Sequence, residues 1–170
     1  MGQDKILEIF LKNPGKTFQI RGISRITKIP KTSVSYHVGK LIKLKLVKKE
    51  QKEVFPAYRA NSSDESYKFY KRQHAIEKIF KSGFVDYLQG KLAPGCIILF
   101  GSFAKAEYDE KSDIDIFVQA RRQELDLSSY EKKLGHTINL LFEPNPEKMS
   151  AQLFNNIVNG VKLAGFLKVR

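Results

Sequence analysis

Apolar positions along this chain recur with two different periods. Within residues 3–12, Ile6, Leu7, Ile9, Phe10 and Leu11 fall at roughly helical spacing, and Asn13-Pro14-Gly15 follows with three successive breakers, which predicts a first helix. From Gln19 to Thr27, Ile20, Ile23 and Ile26 stand three apart, the single buried stripe of a short second helix that Lys28-Ile29-Pro30 ends. Pro30-Lys31-Thr32-Ser33 offers new start signals, and Val34, Val38, Leu41, Ile42 and Leu44 make the apolar face of a longer third helix ending near Leu44. The period then changes. Leu46–Glu50 and Glu53–Arg59 read as two strands joined by a short polar turn.

The remainder mixes both periods. The polar punctuation 61–65 carries N-cap candidates, and Ser66 to about Leu88 reads as helical with a break near Ser82-Gly83, His74 lying on the helix surface. Cys96-Ile97-Ile98-Leu99-Phe100 is a five-residue apolar run between Pro94-Gly95 and Gly101-Ser102, the pattern of a buried strand entering a tight turn whose backbone N–H groups are exposed. A second strand is predicted over Asp113–Val118 and a third over Thr137–Phe142, with His136 a structural residue beside it. Helices are predicted over Ser128–Leu134 and over Glu147–Asn159, the latter stopped by Gly160, and the segment 161–169 is apolar enough to pack back on the domain. No internal repeat or low-complexity tract interrupts this order.

Length and composition sharpen the picture. A chain of 170 residues suits one domain or two small modules, and 42% hydrophobic with 28% charged residues is ordinary globular composition, with 12 Phe and 7 Tyr as core-forming bulk. The single cysteine, Cys96, excludes an internal disulfide and a cysteine-cluster metal site. The apolar runs are too short to span a bilayer and no charged-then-apolar leader opens the chain, so the expectation is a cytoplasmic protein with no membrane partner. The net charge of +12 is unevenly placed: residues 1–60 carry 14 Lys/Arg against 4 Asp/Glu, or +10, leaving +2 for the rest. Two readings stand here, a polyanion-binding surface whose default partner is nucleic acid, or a solubilising lysine-rich coat.

The second and third helices, joined by a tight turn, form a helix-turn-helix pattern, and the strands after them read as a wing. Residues 3–60 resemble winged helix-turn-helix domains of bacterial and archaeal transcription regulators, on the passage TSVSYHVGKLIKLKLVKKEQKEVFPAYRA. The resemblance implies binding of double-stranded DNA, with Lys31, Lys40 and Lys43 at phosphates and Thr32, Ser33, Tyr36 and His37 on the helix that approaches base edges. By analogy with such regulators a homodimer is also an expectation. The competing reading makes this module a protein-docking surface and Tyr36 and His37 packing residues.

The chemistry lies further on. In Asp113-Ile114-Asp115-Ile116, period-two alternation puts both carboxylates on one strand face, Cα atoms about 6.6 Å apart, where they can converge on one hard cation. The bland alternative is that they cap a loop or pair with lysines such as Lys111. The passage LFGSFAKAEYDEKSDIDIFV resembles the Gly-Ser, ten-residue spacer, Asp-x-Asp signature of polymerase beta-type nucleotidyltransferases, and most resembles the small, minimal ones, over residues 75–170. The resemblance implies that Gly101 and Ser102 contact nucleotide phosphates. It also implies that Asp113 and Asp115 are catalytic metal ligands for a two-ion Mg²⁺ site taking a nucleoside triphosphate, ATP first among the candidates. Lys105 either reaches the outer phosphates or is a solvated cation. In the family a third carboxylate completes the site from a neighbouring strand; here that position is Asn139, which cannot act as a base but has an oxygen able to bind Mg²⁺ or nucleotide. Glu143, four positions on, is the candidate substitute.

The fold class expected is therefore α+β, an N-terminal winged helix-turn-helix (1–62), linking and packing helices (63–90) and a small mixed-sheet nucleotidyltransferase-like α/β domain (91–170). Two functions follow: Mg²⁺-dependent transfer of a nucleoside monophosphate to a hydroxyl acceptor, a protein being one such acceptor, or a non-catalytic, nucleotide-sensing or antitoxin-like regulator that binds DNA.

Overall fold

The computed structural model describes residues 2–50 and 55–168, and the chain divides into two compact units, Met1–Lys71 and Arg72–Arg170. The secondary structure is mixed α and β, with eight α-helices and two sheets among the described residues.

The first unit opens with α1 (Gly2–Lys12), whose Ile6, Phe10 and Leu11 are fully buried. A short strand, β1 (Thr17–Gln19), follows and is not foreshadowed by the sequence pattern, which gave Gln19 to the second helix. Three residues cannot display an alternation; β1 exists because it pairs with a strand forty residues later and because Phe18 packs edge-on against Phe10, ring centroids 5.5 Å apart. Helices α2 (Ile20–Thr27) and α3 (Lys31–Lys43) form where predicted, but only part of each apolar stripe is buried: Ile23, Val34, Val38 and Leu41 enter the core, whereas Ile26, Ile42 and Leu44 are exposed. Their turn is locally closed. Lys28 adopts the left-handed conformation and donates its N–H to Ser24 O, while Ser24 Oγ donates to Ile29 O at 2.6 Å.

Two strands complete the sheet, β2 (Val47–Glu50) and β3 (Ala57–Ala60), in the antiparallel order β1-β3-β2. The strand predicted over Glu53–Arg59 thus starts later, at Ala57, and reaches Ala60; Glu53 and Val54 lie outside the described residues. Helix α4 (Glu65–Lys81) begins in this unit. Its Tyr67 joins the first core, donating its hydroxyl to Phe10 O at 3.2 Å, and Lys71, one turn on, is buried with its ammonium 5.7 Å from the Tyr67 ring.

In the second unit α5 (Phe84–Leu92) follows α4 after the predicted break, and the expected linking segment 63–90 supplies core residues to both units, Ala75, Ile79, Phe84, Val85 and Leu88 belonging to the second. Strand β4 (Cys96–Phe100) runs into a one-turn helix, α6 (Gly101–Lys105), where a simple turn was expected. Next come β5 (Ile114–Val118), α7 (Ser128–Leu134), β6 (Ile138–Phe142), a 3₁₀ turn Pro146–Lys148, α8 (Ala151–Val158) and β7 (Val161–Gly165). The single helix predicted over Glu147–Asn159 is interrupted because Ser150 is extended and its Oγ accepts the Leu153 N–H, starting a new helix. The four strands lie in the order β6-β5-β4-β7, with β5 and β6 parallel and the other pairs antiparallel, giving the mixed sheet expected.

Alternation along these strands separates two apolar layers. Ile97, Leu99, Ile114, Ile116, Val118 and Ile138 pack with α4, α5 and α7, whereas Cys96, Ile98 and Phe117 pack with Ile157 of α8. The final segment does return to the domain, as β7, paired to β4; Gly165 takes φ +71° there, and a side chain at that position would strike the Gly95 backbone, so both the conformation and the space call for glycine. No helix among the described residues is long and apolar enough to cross a membrane.

Candidate functional site

Strand register assembles the site. Phe100 on β4 lies opposite Asp115 on β5, and Asp115 lies beside Asn139 on β6, so three neighbouring strands present one row of side chains on the face opposite the larger core. Asp113 precedes β5 by one residue and therefore projects on the same side. One amide joins the two acids: Asn139 Nδ2 donates to Asp115 Oδ1 at 3.2 Å and to Asp113 Oδ2 at 3.4 Å.

Gly101 takes φ +68°, and a Cβ built on it would overlap the Asp115 carboxylate. The position thus demands glycine twice, once for the backbone conformation and once for room. Gly101 and Ser102 are half-buried at the start of α6, whose first N–H groups have no intrahelical acceptors; Lys105, exposed, ends the same turn.

The approach to Asp113 is held from several directions. Phe103 and Tyr108 stack with centroids 4.0 Å apart, and the His136 ring stands edge-on to Phe103 at 5.0 Å. His136 Nδ1 lies 2.7 Å from Ser112 O; since a carbonyl only accepts, this nitrogen carries the proton. His136 is thus the structural residue expected. Asp109 Oδ1 accepts from Lys111 N and Ser112 Oγ, Ile114 N donates to Thr137 O, and Glu131 of α7 accepts the N–H of Ile138 at 2.9 Å. Glu131 carries no sequence signal for this role, since it acts through the tertiary approach of α7 to β6.

Glu143 does not join the acids. It lies four residues beyond Asn139, about 13 Å along the strand direction, and its Oε1 caps the N–H of Asn145 at 2.8 Å. Among the described residues no group of three or more His, Cys, Asp or Glu side chains could hold a metal ion. Two carboxylates beside an amide nonetheless fit Mg²⁺, which is commonly held by one or two protein carboxylates together with substrate phosphates and water. Gly101, with no side chain, leaves room for the Asp115 carboxylate.

Residues 84–160 match the family described as polymerase beta, nucleotidyltransferase. The match contains β4, the Gly101-Ser102 bend, the two aspartates, Asn139 and α8, so the stretch similar to that family and the side-chain cluster coincide. Comparison with curated proteins and with solved structures gave no match.

A separate cluster lies on α3, in the first unit. Thr32, Ser35, Tyr36, Gly39, Lys40 and Lys43 line one open groove, at spacings that put them on a single helix face. Lys40 Nζ stands 4.6 Å from the Tyr36 ring centroid, and the Lys40 ammonium, by hydrogen bond and charge, holds the Tyr36 phenol below its ordinary pKa. Of the candidate nucleic-acid contacts, Thr32, Tyr36 and Lys40 share this face and Lys31 is exposed at the helix start. Ser33 and His37 are half-buried on another side, the His37 ring lying against Gly2 of α1. Gly39 was not anticipated; its spacing of seven from Thr32 is the signal that marks it.

Proposed function

We propose that the second unit is a Mg²⁺-dependent nucleotidyltransferase domain, taking a nucleoside triphosphate, ATP foremost, and passing its nucleoside monophosphate to a hydroxyl acceptor. The observation that carries this reading is the convergence of Asp113 and Asp115 on one nitrogen beside the side-chain-free Gly101, inside the stretch that matches the polymerase beta nucleotidyltransferase family. Magnesium on these carboxylates would offset the triphosphate charge and align it for displacement of pyrophosphate. The chain's own residues bind and orient: the α6 amides and the Ser102 hydroxyl donate to phosphate oxygens, and Lys105 adds a point charge at the outer phosphates. Asn139 orients the carboxylates but accepts no proton, so the acceptor hydroxyl loses its proton to water or to a basic group of the acceptor.

For the first unit we propose a winged helix-turn-helix that binds double-stranded DNA. Supporting this are the +10 charge of residues 1–60, the order helix, strand, two helices and two strands, and the exposed α3 face bearing Thr32, Tyr36, Lys40 and Lys43. Asn139 favours a second reading for the whole chain, a regulator that holds Mg²⁺ and nucleotide without turnover and acts through DNA.

Incubation with labelled ATP, CTP, GTP and UTP, Mg²⁺ and candidate protein acceptors separates the two. Labelling that disappears in Asp113→Ala and Asp115→Ala is expected for the transferase. Nucleotide binding without labelling, together with binding of a specific DNA site, would favour the regulator, and absence of any nucleotide binding would sink both.

A further inference from the structure

We infer that Asn139 makes this a one-cation site, in which the amide positions Asp113 and Asp115 around a single divalent ion delivered with the nucleotide. The inference rests on the reading of the second unit as a Mg²⁺–nucleotide site and goes beyond it by setting the ion count and naming the residue responsible.

The argument begins with charge. The triphosphate lends its own oxygens to the ion it carries, so a second ion depends on the protein for its anionic ligands, and Asp113 and Asp115 are the two carboxylates at hand. Paired dications in phosphoryl-transfer sites stand about 3.5–4 Å apart and repel strongly, so each needs its own anionic ligands besides those they share. Here the third position around the cluster is a neutral amide whose nitrogen faces both acids. The next carboxylate in the chain, Glu143 just past β6, is about 13 Å away by strand rise and engaged with the Asn145 N–H. Among the described residues no third acidic, His or Cys ligand completes the set.

The amide has a second effect. Two carboxylates side by side repel, and a single N–H₂ group donating to one oxygen of each holds them together before any cation arrives. The remaining oxygens, Asp113 Oδ1 and Asp115 Oδ2, are those not used in these bonds, and Oδ2 of Asp115 is the atom over Gly101. Asn139 is thus a positioning residue of the kind whose removal costs metal affinity without removing a ligand.

Equilibrium dialysis with Mn²⁺ and α,β-methylene ATP, whose bridging carbon blocks transfer, counts ions per chain independently of turnover. The expected result is one Mn²⁺ per chain for the native protein, two for Asn139→Asp, and one for Asn139→Ala with affinity about 10- to 100-fold weaker. Two ions bound by the native protein, or one by a folded Asn139→Asp variant, would overturn the inference while leaving the nucleotide reading intact. If Asn139→Asp fails to fold, Asn139→Ala decides: native-like Mn²⁺ affinity there overturns the positioning role. Unchanged Mn²⁺–nucleotide binding in Asp113→Asn and Asp115→Asn would instead refute the underlying site.

Discussion

The carboxylate of Asp115 lies over the Cα of Gly101, at the point where β4 bends into α6. Glycine and acid thus depend on each other, since the bend that presents the α6 amides also clears the space the acid fills. Replacing Gly101 with alanine forces φ out of the left-handed region or bears its cost of about 1–2 kcal/mol, and in either case displaces Asp115. The expected outcome is a fall in thermal stability and, if the second unit holds Mg²⁺ and nucleotide as proposed, a large loss of that affinity, read by calorimetric titration. An alanine variant that binds nucleotide like the native protein would show the contact to be incidental.

Ile116 is fully buried one residue from Asp115 and packs with the helices on the opposite face of the sheet. Truncation of such a side chain removes transfer energy and leaves a cavity, so Ile116→Ala is expected to cost about 2–5 kcal/mol in urea unfolding of the chain. A cost under about 1 kcal/mol would mean that the sheet is not packed there as described.

Tyr67 is buried in the first unit, and that burial pushes its phenol well above the ordinary value. The unfolded chain ionises this tyrosine near pH 10, whereas the folded chain keeps it neutral. Its contribution to stability is therefore complete below about pH 10 and is lost as the pH rises further. Tyr67→Phe gives up the hydrogen bond to Phe10 O, worth about 1 kcal/mol at neutral pH. Comparing urea midpoints at neutral and strongly alkaline pH, the native protein should lose more than the phenylalanine variant. Equal losses would remove Tyr67 from the account.

Lys40 and Lys43 line the α3 groove without forming part of a core. If the first unit binds DNA through this face, each contact with a phosphate adds about one unit to the slope of log affinity against log salt. Lys40→Gln and Lys43→Gln are each expected to lower that slope by about one, measured by fluorescence anisotropy on duplex DNA over a salt series. A native slope near zero would contradict the proposal for this unit.

The local code was legible wherever a segment's own residues decide its conformation. The apolar run of β4 and the alternation around Asp115 each state a period that the structure follows, and α2 and α3 form where predicted, although Ile26, Ile42 and Leu44 of their apolar stripes face outward. Periodicity also put Asp113 and Asp115 on one face, and the resemblance of the Gly-Ser, Asp-x-Asp passage to polymerase beta-type nucleotidyltransferases singled that pair out. Asn139 could be named as the third position, but not what its amide touches.

The rest depended on partners distant in the chain. β1 is a strand because of β3, and β7 because of β4; neither has a pattern of its own that requires one. Glu143 follows Asn139 just past the end of β6, yet the rise along the chain carries it out of reach and its carboxylate accepts the Asn145 N–H. Ser33 and His37 are neighbours of Tyr36 in sequence, but a helix turns about 100° per residue, so they point away from the face that Tyr36 shares with Lys40. Residue type and spacing determine which groups are available and on which side of an element they stand. Which of them meet is decided by pairing and packing across the fold, because those contacts join residues whose separation along the chain carries no local signal.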